Sequence, residues 1–391
     1  MTAAAGGPFR SRKNVRRVAA APTHAGLNWH PLLRGWQAAQ DLTMTSDRRN
    51  DFDVTNTVQV SSTAAVKAAV HELCRATWPD AELDPLARAF DFFDRLFAGK
   101  VPGFSGVDTV YHDRQHTLDI TLALARLMAG YDLQHIPERQ LGAERAIVGL
   151  IVGLFHDVGY LRRAEDGAEF RHGAELTRVH VSRGARFLEE YLPTIGLAAW
   201  VPIAREIVHF TGYEVPFADI AVADPLDEKL GHLIGTADMI GQMADRCYLE
   251  KCRDRLYPEF VVGGMALPIA ANGGRTIRYA SGLDLLRQTP EFVTETRATR
   301  LDGHFAGAYH YLEILFEGRN PYMEAIDRNL EYLRQILRSE NWRLLRRNPP
   351  VFAALADPMA TLRAYMVRYL HRAFVDGPAG APRAGRSTSR T

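Results

Sequence analysis

The sequence predicts an all-α fold. Apolar residues recur at intervals of three and four along much of the chain, which is the spacing of one helix face. Sustained alternation of apolar and polar residues, the pattern of a half-buried strand, is missing. With 391 residues, of which 47% are hydrophobic and 24% are charged, the chain has the composition of a globular protein and room for one large domain.

The apolar spacing predicts five amphipathic helices. Their apolar faces are formed, in chain order, by Ile120, Leu124, Leu127 and Met128; by Leu176, Val179, Ala185 and Leu188; by Val201, Ala204, Ile207 and Val208; by Leu230, Leu233, Ile234 and Ala237; and by Tyr322, Ile326, Leu330, Leu333, Ile336 and Leu337. The last helix is expected to begin just after Pro321, since proline suits a first helical turn. Breaks are predicted at Gly130, Pro137, Gly167, Pro193 and Pro225.

Two other segments complete the predicted domain. Residues 146–155 form an apolar run that is shorter than the roughly 20 residues of a membrane helix, so we expect a buried helix there. Residues 258–282 are less regular and predict a loop or short hairpin that forms a pocket wall.

The two ends of the chain differ in composition from the rest. Residues 1–60 are expected to form a disordered basic arm, in which no acidic residue precedes Asp41. A transit-like segment, a nucleic-acid-binding arm or a true start at Met44 are the alternatives. Residues 376–391 are rich in Gly, Pro and Ser and are expected to be disordered. A single helical domain is therefore predicted over residues 61–375.

Charge and cysteine content restrict the partners and the compartment. The net charge is +1, so no overall field attracts nucleic acid or a membrane surface. The three cysteines are too few for a disulfide framework, which favours a reducing compartment and a cytoplasmic location. No protein partner or oligomeric state is indicated.

Polar residues interrupt apolar helices at three places. His112 and His116 lie one turn apart on a helix face, the apolar run ends at His156-Asp157, and Asp238 lies in the apolar segment HLIGTADMIGQM. One such residue alone is more often a satisfied core residue or an ion-pair partner. Burying them without partners would cost about 2 to 7 kcal/mol per group, and a bound metal would offset that cost. Imidazole and carboxylate ligands suit zinc, manganese, iron or magnesium.

These segments resemble the motifs of the HD-domain metal-dependent phosphohydrolases, in the branch that includes the cyclic-nucleotide phosphodiesterases. That branch has YHNxxHxxD, then His-Asp, then a late Asp, which appear here as YHDRQHTLD, FHDVGYL and the Asp of GTADMIGQ. The resemblance covers residues 108–245 and weakens towards residue 340. It departs at Asp113, where the family has Asn, and at residues 158–160, where the phosphodiesterases have another His and a Pro-Gly.

The resemblance implies a PDEase-like helical bundle with a metal site between helices. His116, His156, Asp157 and Asp238 would be the ligands of the first metal, and Asp157 would also bridge to a second one. His112 would be the general acid that protonates the leaving group. The expected cofactor is therefore a divalent metal, with two ions per chain.

Four further residues extend this expectation. His180 and His209 resemble the extra histidines with which other HD branches bind a second metal, and the alternative is that they are core or surface residues. Gln288 is the only counterpart of the glutamine that holds the purine in the phosphodiesterases, with Phe292 as an aromatic clamp. A glutamine in an amphipathic helix is otherwise usually solvated.

The leading hypothesis is a phosphohydrolase that cleaves a phosphodiester such as a 3',5'-cyclic nucleotide, so the expected partner is a small phosphate ester or nucleotide. Hydrolysis of a nucleotide monoester or pyrophosphate is the first alternative. The second is a non-catalytic, metal-stabilised module that senses a nucleotide. The presence of His112 favours an enzyme, because a sensing module needs no general acid.

Overall fold

A computed structural model describes residues 48–268 and 276–374 and confirms the all-α fold. The described ranges contain twelve α-helices: α1 Thr63–Thr77, α2 Asp84–Phe97, α3 Arg114–Gln134, α4 Gly142–Phe155, α5 His180–Tyr191, α6 Val201–Ile207, α7 Pro225–Ala244, α8 Tyr248–Lys251, α9 Tyr257–Val262, α10 Gly282–Thr296, α11 Pro321–Ser339 and α12 Pro358–Phe374. Short 3₁₀ turns and the π-helical segments Cys252–Leu256 and Arg297–His304 connect or extend them.

Extended backbone is rare in the part of the chain that the structure describes. It forms no strand there, and the β-type pairing is limited to the bridges Phe52–Gln59 and Phe104–Arg163. Among the same residues, no helix combines the length and the apolar character that crossing a membrane requires.

Helix α3 lies at the centre of the fold. It packs against α7, α1, α4 and the 3₁₀ segment Ala308–Phe316, so it is buried on nearly every side. Its neighbour α4 is buried from Ala146 to Phe155, as the apolar run predicts. One continuous hydrophobic cluster extends along the chain from Val54 to Leu345. The polar ends of α3 and α4 are therefore held by an apolar scaffold, which positions the site described below.

The predicted helices are present, with shifted boundaries in two of them. Gly130 does not break the first, because α3 continues to Gln134. The missing side chain at Gly130 instead allows the backbone of Tyr311 to approach the helix closely. The second helix begins at His180, while Leu176 lies in a separate 3₁₀ turn. Helix α11 begins at Pro321, as predicted.

The N-terminal boundary differs from the prediction. Residues 48–60, predicted as part of a disordered arm, are folded around Asp53, which is fully buried. Asp53 accepts a hydrogen bond of 2.7 Å from Arg126 in α3, and Arg126 also donates to Tyr322 in α11. This ion pair fixes the segment to the core, although no apolar periodicity reveals it. Residues 1–47 and 376–391 lie outside the described residues.

The segment predicted as a loop or hairpin is partly helical. The π-helical turn Cys252–Leu256 leads directly into α9, which ends at Val262. Residues 263–268 form turns, residues 269–275 lie outside the described residues, and α10 begins at Gly282. The helical part matters for the site, because α9 contributes a buried carboxylate to it.

Candidate metal centre

Three helices bring the predicted metal ligands to one place. His116 lies in the first turn of α3, which begins after the N-cap residue Asp113. His156 is the C-cap residue that follows the last residue of α4, and Asp157 comes directly after it. Asp238 lies within α7, which packs against both α3 and α4. All four residues are at least nine-tenths buried.

The side-chain atoms of these residues converge. His116 Nε2 and His156 Nε2 each lie 3.3 Å from Asp157 Oδ2. The same two nitrogens lie 3.7 and 3.8 Å from Asp238 Oδ1. Around an ion with bonds of about 2.1 Å, neighbouring tetrahedral ligand atoms lie about 3.4 Å apart. The observed separations are close to that value, and the ligand atoms of His116, His156 and Asp238 lie within 4.8 Å of one another, so these three residues fit around one cation, with Asp157 Oδ2 beside both imidazoles.

Two of these atoms have no other partner. In the described part of the chain, His156 Nε2 and Asp157 Oδ2 are buried and make no hydrogen bond. His156 Nδ1 lies 2.8 Å from the carbonyl oxygen of Gly153. A carbonyl oxygen only accepts, so Nδ1 carries a proton, and once the ring is neutral the lone pair is on Nε2, which faces the carboxylates. This is the second-sphere arrangement that orients a metal-binding histidine.

The charges of the cluster are strongly coupled. Burial lowers the pKa of His156, but the charge and hydrogen bond of Asp157, the charge of Asp238 and the hydrogen bond to Gly153 together outweigh it and raise that pKa to about 9. Burial raises the pKa of Asp157, and the neighbouring histidines, His156 first, bring it well below its usual value. Burial is also the main reason that the pKa of Asp238 is raised. A cation bound here would replace a proton in stabilising the carboxylates, so its binding would release protons.

Asp157 also faces the predicted second-metal residue His180. Its Oδ1 atom lies 3.6 Å from His180 Nε2, on the other side of the carboxylate from the first cluster. His180 Nδ1 lies 2.8 Å from the carbonyl oxygen of Thr177, so the lone pair of Nε2 faces Asp157. The two oxygens of Asp157 therefore face different histidines, as a bridging carboxylate would require.

His209 lies further from this arrangement. It is half-buried, and burial lowers its pKa against the opposing charge of Glu214. Glu214 also lies 3.6 Å from His180 Nδ1, so the two histidines share a neighbouring carboxylate. Three ligand atoms lie within 4.8 Å of one another in the described chain, from His116, His156 and Asp238, and His209 is not one of that group.

His112, the predicted general acid, is paired with Glu259 of α9. The distance from His112 Nδ1 to Glu259 Oε2 is 2.7 Å, and Glu259 Oε1 accepts hydrogen bonds from the backbone N–H groups of Val110 and Tyr111. Burial lowers the pKa of His112, but the hydrogen bond to Glu259 and its charge outweigh that effect and raise the pKa. Sequence reasoning missed Glu259, because it lies in the segment predicted to be irregular.

Tyr160 connects His112 to His180. Its ring stacks on both imidazoles, with centroid distances of 4.5 and 4.3 Å. Gly159 makes this possible, because a side chain there would collide with the carbonyl oxygen of His180. Residues 158–160, where the sequence departs from the phosphodiesterase pattern, thus pack the start of α5 against the histidine-aspartate cluster.

Asp113 and Gln288, two other residues singled out from the sequence, both form side-chain hydrogen bonds. Asp113 accepts a hydrogen bond from the N–H of His116 at 3.2 Å, and its second oxygen accepts from Phe352 N–H at 3.1 Å. The first of these caps α3, a role that asparagine also performs.

Gln288 is exposed, and its amide donates to the Arg278 carbonyl and to Asp284. These contacts are local to the start of α10 and give no sign of a role at the cluster.

Comparison with known proteins gives one partial match. The family described as Npun_R2479-like matches residues 168–330, which is less than half of the chain. The matched range contains His180, His209 and Asp238, whereas the two motifs at residues 111–119 and 155–161 precede it. No curated protein and no solved structure is significantly similar to this chain.

Proposed function

We propose that this protein is a metal-dependent phosphohydrolase that resembles the HD-domain enzymes and acts on a phosphodiester such as a 3',5'-cyclic nucleotide. The observation that supports the proposal best is the arrangement of one histidine-carboxylate cluster beside a separate histidine-glutamate pair. A structural metal site needs the first but has no use for the second. A hydrolase needs both, since one activates the phosphate and the other supplies a proton.

The residues present fit a divalent cation. His116, His156, Asp157 and Asp238 would hold it, because two of their buried atoms lack any other partner and mixed imidazole and carboxylate donors suit such an ion. A divalent cation supplies Lewis acidity, which polarises a phosphoryl oxygen and makes water a better nucleophile near neutral pH. His180 and the free face of Asp157 would hold a second one.

His112 would transfer the proton to the leaving group. Its ring lies 5.6 Å from that of His116, measured between centroids, so it borders the cluster without belonging to it. Because Glu259 binds Nδ1, that nitrogen keeps its proton, and Nε2 is the atom free to protonate a departing alkoxide. Stacking on Tyr160 holds the ring in this orientation.

The test is turnover of bis-(p-nitrophenyl) phosphate with added manganese, zinc or magnesium. His112→Asn should lower turnover by about 10² to 10⁴-fold while the metal content stays unchanged. His172→Asn is the matched control, since His172 is also buried but packs near Tyr365, and it should retain turnover and metal. Equal turnover in His112→Asn and in the parent protein would contradict the proposal, and absence of any turnover would favour the nucleotide-sensing module.

The same assay separates the substrate classes. Cyclic nucleotides, nucleotide monophosphates and inorganic pyrophosphate are compared at equal concentration. We propose that the cyclic diester is the best of these, and faster cleavage of a monoester or pyrophosphate would assign the alternative activity. We also propose a reducing, cytoplasmic setting, because Cys74, Cys247 and Cys252 are buried free thiols.

A further inference from the structure

Arg300 is a buried cation that has no counter-ion among the described residues. It lies in the π-helical segment Arg297–His304, and only 7% of its surface is exposed. In the described ranges no carboxylate approaches it within 4.0 Å, in contrast to the other buried cations: Arg126 pairs with Asp53, Lys251 with Asp245 and Arg255 with Asp113. Buried charges are normally paired, so the exception at Arg300 requires a reason.

The contacts that Arg300 does make leave one end of its guanidinium unused. Nη2 donates to the carbonyl oxygen of Gly212 at 2.6 Å, whereas Nη1 has no hydrogen-bond partner in the described structure. The face of the guanidinium is covered by Tyr213, whose ring centroid lies 3.6 Å from Arg300 Cζ. The ring centroid of Phe217 also lies 4.8 Å from Arg300 Cζ. Tyr213 is itself 69% exposed, so its side chain has room to turn outward.

The position of Arg300 relates it to the metal cluster. Gly212, which holds Nη2, packs against Val181, the residue after His180. On the other side, Phe305 at the end of the π-helical segment packs on Gly235, which is three residues before Asp238 in α7. The segment is therefore fixed between two helices that each contribute a residue to the centre. Burial lowers the pKa of Arg300, and the charge of Asp238 partly opposes this effect, in agreement with that placement.

On the basis of the proposed function, we propose that Arg300 is a substrate-binding residue that donates from Nη1 to a phosphoryl oxygen once Tyr213 turns aside. An arginine suits this role because the planar fork of its N–H groups matches the oxygens of a phosphate. The negative charge of the phosphate would supply the counter-ion that Arg300 lacks among the described residues. A π-helical turn is consistent with the role, since such turns occur frequently at functional sites. The substrate class that follows is an anionic phosphate ester.

The probe is inorganic phosphate, with binding measured by calorimetry on the metal-loaded full-length protein. Arg300→Ala should weaken binding about tenfold, and Arg300→Lys, which keeps the charge but loses the fork, should weaken it less. Arg297→Ala is the matched control, because Arg297 belongs to the same segment but is only partly buried and pairs with Asp327. It should bind phosphate like the parent protein.

A second variant separates a binding role from local damage. Tyr213→Ala removes the cover and leaves Arg300 in place, so phosphate should bind at least as tightly as in the parent protein. Weakening in Tyr213→Ala equal to that in Arg300→Ala would overturn the inference, as would equal affinity in Arg300→Ala and the parent, or no phosphate binding by the parent. Arg300-dependent phosphate binding without turnover of any ester would support the inference while contradicting the proposed hydrolysis.

Discussion

Replacing Glu259 with glutamine removes the negative charge beside His112 and changes the side-chain volume very little. Glu259 accepts three hydrogen bonds, two from backbone N–H groups and one at His112 Nδ1. The glutamine oxygen can still accept the two backbone bonds, so only the charged bond to His112 is lost. A hydrogen bond to a charged group contributes about 1.5 to 3 kcal/mol, which is the expected loss in the free energy of unfolding.

The same change should have a larger effect on turnover. Burial lowers the pKa of His112, and Glu259 makes the largest contribution that opposes this effect. Without the charge of Glu259, the pKa of His112 therefore falls. Loss of general acid catalysis lowers turnover by about 10² to 10⁴-fold, while the metal content should not change. The assays are urea unfolding, elemental analysis and diester hydrolysis.

Glu250→Gln provides the matched control for this prediction. Glu250 is also a buried glutamate, in α8, but it faces Arg347 and its carboxylate accepts from the N–H of that residue at 3.3 Å. Its loss should affect stability without affecting turnover. The reasoning is refuted if Glu259→Gln retains full turnover, or if both variants lose turnover equally.

Three other perturbations test separate parts of the account. Gly159→Ala places a side chain against the carbonyl of His180, so it should destabilise the protein by about 1 to 3 kcal/mol in urea unfolding; no change would mean that the close packing is unimportant. Arg126→Met should lower the free energy of unfolding by about 3 to 5 kcal/mol, because it leaves the buried charge of Asp53 without a partner. Adding Asp53→Asn should recover part of that loss. A double variant that is no more stable than Arg126→Met would argue against the ion pair. Burial lowers the pKa of His232 from 6.5 to about 4, so the unfolded chain binds more protons and stability is lost as the pH falls from 6.5 to 4. In His232→Gln, the loss of unfolding free energy between pH 6.5 and 4 should be smaller by about 2 kcal/mol. This value already allows for the part of the ring that water reaches. Parallel curves of stability against pH for the two proteins would disprove the prediction.

The sequence was sufficient to predict the helices and the first cluster, because both depend on local patterns. A spacing of three and four residues reports directly on a buried helix face, and α3, α7 and α11 follow it. Histidine and aspartate in apolar helices are conspicuous for the same reason, since burial demands a partner. The helix-end position of His156-Asp157 was visible as the end of an apolar run.

The partners that arise from tertiary contact could not be predicted in this way. Glu259 lies 147 residues from His112, in a helix that a π-helical turn interrupts, so no periodic pattern marks it. Asp53 lies in an irregular segment and is buried only because Arg126 needs a counter-ion. Arg300 is one arginine among many, and only the missing carboxylate around it makes it distinctive.

The most direct test of the central claim is the metal content of the purified protein, compared between two histidine variants. His156→Gln removes a predicted metal ligand, whereas His172→Gln removes a buried histidine elsewhere in the fold. Elemental analysis should find a stoichiometric divalent metal in the parent protein and in His172→Gln, and little in His156→Gln. Equal metal content in all three proteins, or no metal in any after exposure to zinc and manganese, would contradict a metal centre at this site.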